Sequence, residues 1–63
     1  MILEYGKYRG SVEFNTEDNR FYGKVLDIKN SNLTYEGNDL ESLIDEFQST
    51  IDDYVDLMES LES

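Results

Sequence analysis

Carboxylates are the main reactive groups of this sequence, and they are concentrated in its second half. The 63 residues include fifteen Asp and Glu and five Lys and Arg, for a net charge of −10. Residues 1–29 carry all five bases and five acids, whereas residues 30–63 carry the other ten acids and no base. Such a charge repels nucleic-acid phosphates and anionic lipid and attracts basic proteins. We therefore expect a protein partner, no direct nucleic-acid binding and no membrane binding, although the acids could also serve only solubility.

Catalysis and metal binding are not expected. The sequence has no His and no Cys, which excludes Ser–His and Cys–His nucleophile pairs and imidazole or thiolate metal sites. Carboxylates at helical spacings of three and four, found among Asp45, Asp52, Asp53 and Asp56, could in principle share a divalent cation. They lie opposite the apolar stripe, however, where solvated acids are typical. We predict no catalytic residue, no metal site and no cofactor.

The aromatic residues of the first half allow another interpretation. Tyr5, Tyr8 and Tyr22 lie close in sequence to basic residues, and aromatic side chains among bases can stack on nucleic-acid bases. Cross-strand aromatic pairs on a half-exposed sheet are the simpler interpretation of the same pattern.

One long amphipathic helix is predicted over residues of about 39–61. Asn38 is a suitable N-cap, with Glu41 at the expected third helical position. Apolar residues recur at intervals of four and three, which is the spacing of one helix face. The positions are Leu40, Ile44, Phe47, Ile51, Tyr54, Met58 and Leu61, widened by Leu43 and Val55.

The length of this helix predicts self-association. It would extend roughly 35 Å at 1.5 Å per residue, whereas strands of five to eight residues cover only about 17–27 Å. The last turns would then project beyond the sheet and need another apolar surface. We predict a homodimer that buries Tyr54, Met58 and Leu61. Pairing through the sheet edge and a monomer whose last turns fray are the alternatives.

The first half predicts a small antiparallel sheet. Alternating apolar and polar residues indicate strands at about 8–14, 20–27 and 32–36, and the second is apolar on both faces, which favours a central position. The expected fold is α+β, a three-stranded antiparallel sheet followed by one long amphipathic helix (β-β-β-α), in a single domain of residues 1–63. No basic leader followed by an apolar stretch opens the chain, so a cytoplasmic location is expected.

A series of short segments resembles the N-terminal domain of HicB-type antitoxins. The similarity extends from about residue 3 to residue 58 and depends on the order and spacing of its pieces. These are YRGSVEF at 8–14, FYGKV at 21–25, TYEGNDLE at 34–41, Phe47, and IDDY at 51–54.

The resemblance implies a partial ribonuclease-H-like fold that binds and neutralises a small HicA-type ribonuclease toxin. Family members usually continue into a C-terminal DNA-binding module, which the chain ending at Ser63 lacks, so operator binding is not expected. Nuclease activity is not expected either, since Glu4, Glu13 and Asp27 do not reproduce the acidic cluster of a two-metal nuclease.

Charge and resemblance together suggest how the toxin would be recognised. An RNA-binding toxin presents a basic surface, which an acidic helix could cover by imitating RNA phosphates. The candidate partner-binding residues are Glu41, Asp45, Glu46, Asp52, Asp53, Asp56 and Glu59. Two alternatives stay open: toxin contacts on the sheet or its loops, and a stand-alone acidic protein that inhibits another basic protein as a nucleic-acid mimic.

Overall fold

The computed structural model describes residues 1–28 and 32–62 as an α+β fold with antiparallel sheets and one C-terminal helix. This confirms the expected fold class. The elements in chain order are β1 (Ile2–Tyr5), β2 (Tyr8–Ser11), β3 (Glu13–Asn15), β4 (Arg20–Lys24), β5 (Thr34–Gly37) and α1 (Leu40–Glu62).

The strands form two sheets, so the prediction of a single three-stranded sheet was wrong. β1 pairs with β2, and a second sheet has the order β3-β4-β5, with every pair antiparallel. The predicted central position of the second strand is confirmed, because β4 lies between β3 and β5.

The strand predicted over 8–14 is divided near Ser11, where side chains replace part of the backbone ladder. The Tyr35 hydroxyl donates to the Ser11 carbonyl oxygen at 2.7 Å, and the Lys24 N–H donates to the Ser11 hydroxyl at 3.0 Å. A bridge between Gly10 and Val25 joins the two sheets. The strand predicted over 20–27 correspondingly ends at Lys24. Beyond it, this bridge and single backbone bonds from Val25 to Leu33 and from Leu26 to Arg9 continue the pairing.

β1 was not predicted, and it forms a tight hairpin with β2. Tyr5 pairs with Tyr8, which leaves Gly6 and Lys7 as the turn. Gly6 has a φ of 61°, and a positive φ at only the first of two central residues is typical of a type II′ turn. The third predicted strand, at 32–36, lies instead at Thr34–Gly37.

The core lies between α1 and the sheets. Leu43, Phe47 and Ile51 of α1 are at most 2% exposed and pack with Leu3, Val25 and Tyr35. The buried line therefore runs through Leu43, which sequence periodicity placed at the margin of the stripe.

Two glycines allow α1 and Tyr35 to lie close to the strands. A Cβ atom at Gly10 would be 2.7 Å from a ring carbon of Phe47, and one at Gly23 would collide with the Ser11 carbonyl oxygen. Both glycines are buried, so any larger residue would displace the helix or the neighbouring strand.

α1 begins at Leu40 and is capped by Asp39. The Asp39 carboxylate accepts the Ser42 N–H at 2.7 Å, and the Leu43 N–H donates to the Asp39 carbonyl oxygen at 3.0 Å. Asn38 is therefore not the N-cap, and Ser42 rather than Glu41 occupies the third helical position. Asp39 takes this role because β5 continues to Gly37, which delays the helix by one residue.

Candidate protein-binding site

Five exposed carboxylates form one row along α1. At about 100° per residue, they fall within about 60° of one another around the helix axis, and they span roughly 27 Å along it. This acidic row consists of Glu41, Asp45, Asp52, Asp56 and Glu59, all of them exposed.

The other two predicted residues, Glu46 and Asp53, lie elsewhere on the helix. Both are exposed, but they project about 100° away from the acidic row, on the opposite flank of the buried stripe. The structure therefore divides the seven candidates into a row of five and a pair, which do not share one flat surface.

No member of the acidic row forms an ion pair among the described residues; the base Lys7 lines a cleft with three members of the row, namely Asp52, Asp56 and Glu59. The two ion pairs of the described structure join Arg9 to Asp27 at 3.0 Å and Arg20 to Glu36 at 3.6 Å, and neither includes a residue of α1. The Arg9 guanidinium holds the pKa of the Asp27 carboxyl below its usual value. These arginines thus interact with acids of the sheets and their connections, and the helix keeps a negative surface.

Asp52 differs from the other members of the acidic row because it also attaches α1 to β1. It accepts a hydrogen bond from the Tyr5 hydroxyl at 2.9 Å, and this bond to the carboxylate raises the pKa of the Tyr5 phenol. A substitution at Asp52 would therefore change the packing of the helix as well as its charge.

Apolar residues are exposed in the last turns of α1, after Tyr54. Tyr54 packs edge-to-face on Tyr8 with 6.0 Å between ring centroids, so the chain itself partly covers it. Beyond it, Leu57, Met58 and Leu61 are 58%, 40% and 73% exposed. Sequence periodicity had identified Met58 and Leu61 but missed Leu57, although a leucine adjoining the stripe is a usable signal.

The three tyrosines considered as a stacking platform do not share a surface. Tyr5 and Tyr8 contact residues of α1, whereas Tyr22 lies beside Lys24 and Glu36 in a cleft on the sheet. Alternation along the strands separates them, so the described structure contains no such platform.

Neither a metal site nor a membrane-spanning helix is found in the part of the chain that the structure describes. No group of three carboxylates there is placed to hold a metal ion. α1 is also not apolar enough to span a lipid bilayer.

No protein-family model matches this chain, and no curated protein or solved structure matches it either. The similarity to HicB-type antitoxins stays a prediction from the sequence.

Proposed function

We propose that this chain is an antitoxin-like domain of the HicB type, which binds and neutralises a small basic HicA-type ribonuclease. The observation that carries the proposal is the acidic row, whose carboxylates form no ion pair among the described residues. RNA carries a negative charge on every phosphate, so a ribonuclease needs a basic surface where it binds RNA. The acidic row presents the same charge to that surface and would exclude RNA from it.

The proposal includes a homodimer formed through the exposed end of α1. Leu57, Met58 and Leu61 are apolar and exposed in the last turns of α1, and Met58 lines a cleft with the turn of the β1–β2 hairpin. Pairing these turns between two copies would remove them from water and hold two acidic rows in one assembly. A dimer would also add to the small core that 63 residues can form.

Two measurements at low and high salt test the proposal: inhibition of RNA cleavage, and the rate at which the chain associates with the toxin. We expect the chain to inhibit a HicA-type toxin. We expect the association rate of the two proteins to fall on the order of tenfold or more from low to high salt, because screening weakens electrostatic steering. An unrelated basic enzyme, pancreatic ribonuclease, is the control.

Equal inhibition of both enzymes would favour a general nucleic-acid mimic over an antitoxin. Binding of the toxin without any effect of salt would contradict recognition by the acidic row.

A further inference from the structure

The outer edge of β5 has free backbone groups. β5 pairs with β4 on one side only. The Val25 N–H donates to the Leu33 carbonyl oxygen at 3.0 Å, so Leu33 directs its backbone groups toward β4. Successive residues of an antiparallel strand direct their N–H and C=O groups to opposite sides, so Thr34 and Glu36 direct theirs away from β4. Among the described residues, no backbone hydrogen bond uses this edge.

Two clefts that include residues of β5 share the same pair of carboxylates. The larger, of about 590 Å³, lies over the β3-β4-β5 sheet and is lined by Glu36, Glu46 and Lys24, and the smaller, of about 340 Å³, is lined by Glu36, Glu46 and Arg20. The Glu36 side chain is 67% exposed, and its ion pair with Arg20 is long, at 3.6 Å. Glu46 is exposed and forms no ion pair among the described residues.

We propose that the edge of β5 binds an extended, lysine- or arginine-bearing segment of a partner protein by strand addition. The added backbone would bond to Thr34 and Glu36, as in known cases of strand addition to a sheet edge. Its basic side chains would reach Glu36 on one face of the strand or Glu46 on the other.

The charge of the edge selects a basic strand rather than a second copy of this chain. Two copies joined at β5 would bring their Glu36 and Glu46 carboxylates together, and each chain has a net charge of −10. Charged residues at a free edge are also a common protection against such self-pairing. A basic segment would experience attraction where a second copy experiences repulsion.

The site is independent of the toxin-binding proposal. It uses the backbone of β5 and the flank of α1 that carries Glu46, whereas the toxin is proposed to bind the acidic row. A negative peptide test would therefore leave the proposed toxin binding unaffected, and a failure to bind toxin would leave strand addition at β5 unaffected.

Two synthetic peptides with equal charge test the proposal. One is the acetylated, amidated heptapeptide Thr-Lys-Lys-Thr-Lys-Lys-Thr, which places lysines on both faces of an added strand, and the other is the same peptide N-methylated at every amide, which removes its backbone donors. We expect the first peptide to shift the Thr34 and Glu36 amide signals in NMR spectra and slow their hydrogen exchange, and the second to do neither.

A matched pair of charge reversals locates the peptide. Glu46→Lys should weaken binding about tenfold, because an attractive contact becomes a repulsive one. Glu59→Lys makes the same change on the acidic row, near the β1–β2 hairpin rather than β5, and should weaken binding less than about threefold through the overall charge alone.

Three results would overturn strand addition. If the methylated peptide shifted the Thr34 and Glu36 amide signals as much as the unmethylated one, charge alone would explain the binding of the peptide. Slow exchange at Thr34 and Glu36 that increases with protein concentration, without peptide, would show a second copy at the edge. The absence of any shift with the unmethylated peptide would show that the edge does not accept a basic strand.

Discussion

Tyr35 joins the two sheets and the helix through a single side chain. Its hydroxyl donates to the Ser11 carbonyl oxygen at 2.7 Å, and its ring packs on Phe47 with 5.2 Å between centroids. The position where β2 and β3 separate is thus also the position where a phenol from β5 replaces a ladder bond. A single hydroxyl should therefore contribute measurably to stability.

Removing this hydroxyl should destabilise the fold. We expect Tyr35→Phe to lower the free energy of unfolding by about 1–3 kcal/mol, because the partly buried Ser11 carbonyl oxygen loses its donor. Tyr22→Phe is the matched control, since Tyr22 is 42% exposed and its hydroxyl forms no hydrogen bond in the described structure. Urea denaturation followed by circular dichroism measures both, and equal stability of the two variants would contradict this role.

Alkaline titration gives an independent check on Tyr35. Burial raises the pKa of Tyr35 from its ordinary 10.0 to about 12. Because the folded state holds this proton more tightly, its contribution to stability is complete below pH 10 and is lost as pH rises through about 12. Because the bond to Asp52 also raises the pKa of Tyr5, the titration uses a Tyr5→Phe background. Absorbance should show a late tyrosine step that adding Tyr35→Phe removes, and a late step that persists in the double variant would contradict the assignment.

At the scale of elements, the N-terminus of α1 depends on one carboxylate. Asp39→Ala should lower the melting temperature, because the Ser42 N–H loses its acceptor. Asn38→Ala, one residue earlier, should have little effect and is the matched control. Thermal denaturation of both variants distinguishes the two candidate caps, and a larger effect at Asn38 would contradict the observed helix start.

The same cap predicts a loss of stability in acid. The Ser42 N–H lowers the pKa of Asp39 below its ordinary 3.8. The stabilisation from this group is therefore present above pH 3.8 and is lost as pH falls through the lowered pKa. Asp39→Asn keeps the acceptor oxygen, so its stability should depend less on pH over this range.

The helix was predictable from the sequence because one periodic signal extends over more than twenty residues. Its buried face and its exposed acids follow directly from a repeat of 3.6 residues. The strand boundaries depend on distant partners. The division of the strand over 8–14 is caused by Tyr35, more than twenty residues later, and β1 depends on a hairpin that a positive φ at Gly6 permits. The alternation of apolar and polar residues within a short segment indicates neither the division of this strand nor the presence of β1.

At the scale of the whole molecule, α1 is longer than the sheets can cover. The described chain measures 43 Å along its longest axis and 19 and 18 Å across. The acidic row and the exposed apolar residues at the end of α1 both lie on this one helix. The helical periodicity of the sequence therefore identified most residues of each.

The proposed dimer should depend on the apolar end of α1. Met58→Gln with Leu61→Gln should shift sedimentation equilibrium from dimer to monomer, because the buried apolar contact is lost. Leu26→Gln is the control, since Leu26 is also exposed, at 41%, but lies near the sheet. A monomeric parent chain, or a dimer that survives the double substitution, would contradict the proposed interface.

The central claim is that the acidic row binds a basic toxin, and charge reversal tests it most directly. Asp45→Lys with Asp56→Lys changes two members of the row and leaves the hydrogen bond between Asp52 and Tyr5 in place. Glu13→Lys with Glu17→Lys makes the same change in net charge on the sheet and its loop. Both doubles are compared by calorimetric titration with a HicA-type toxin at low salt.

We expect the helix double to bind on the order of 100-fold more weakly than the parent chain, because like charges at an interface cost several kcal/mol. The sheet double should stay within about threefold, since exposed charges away from the contact are screened. Equal affinity of the helix double and the parent chain would contradict the account.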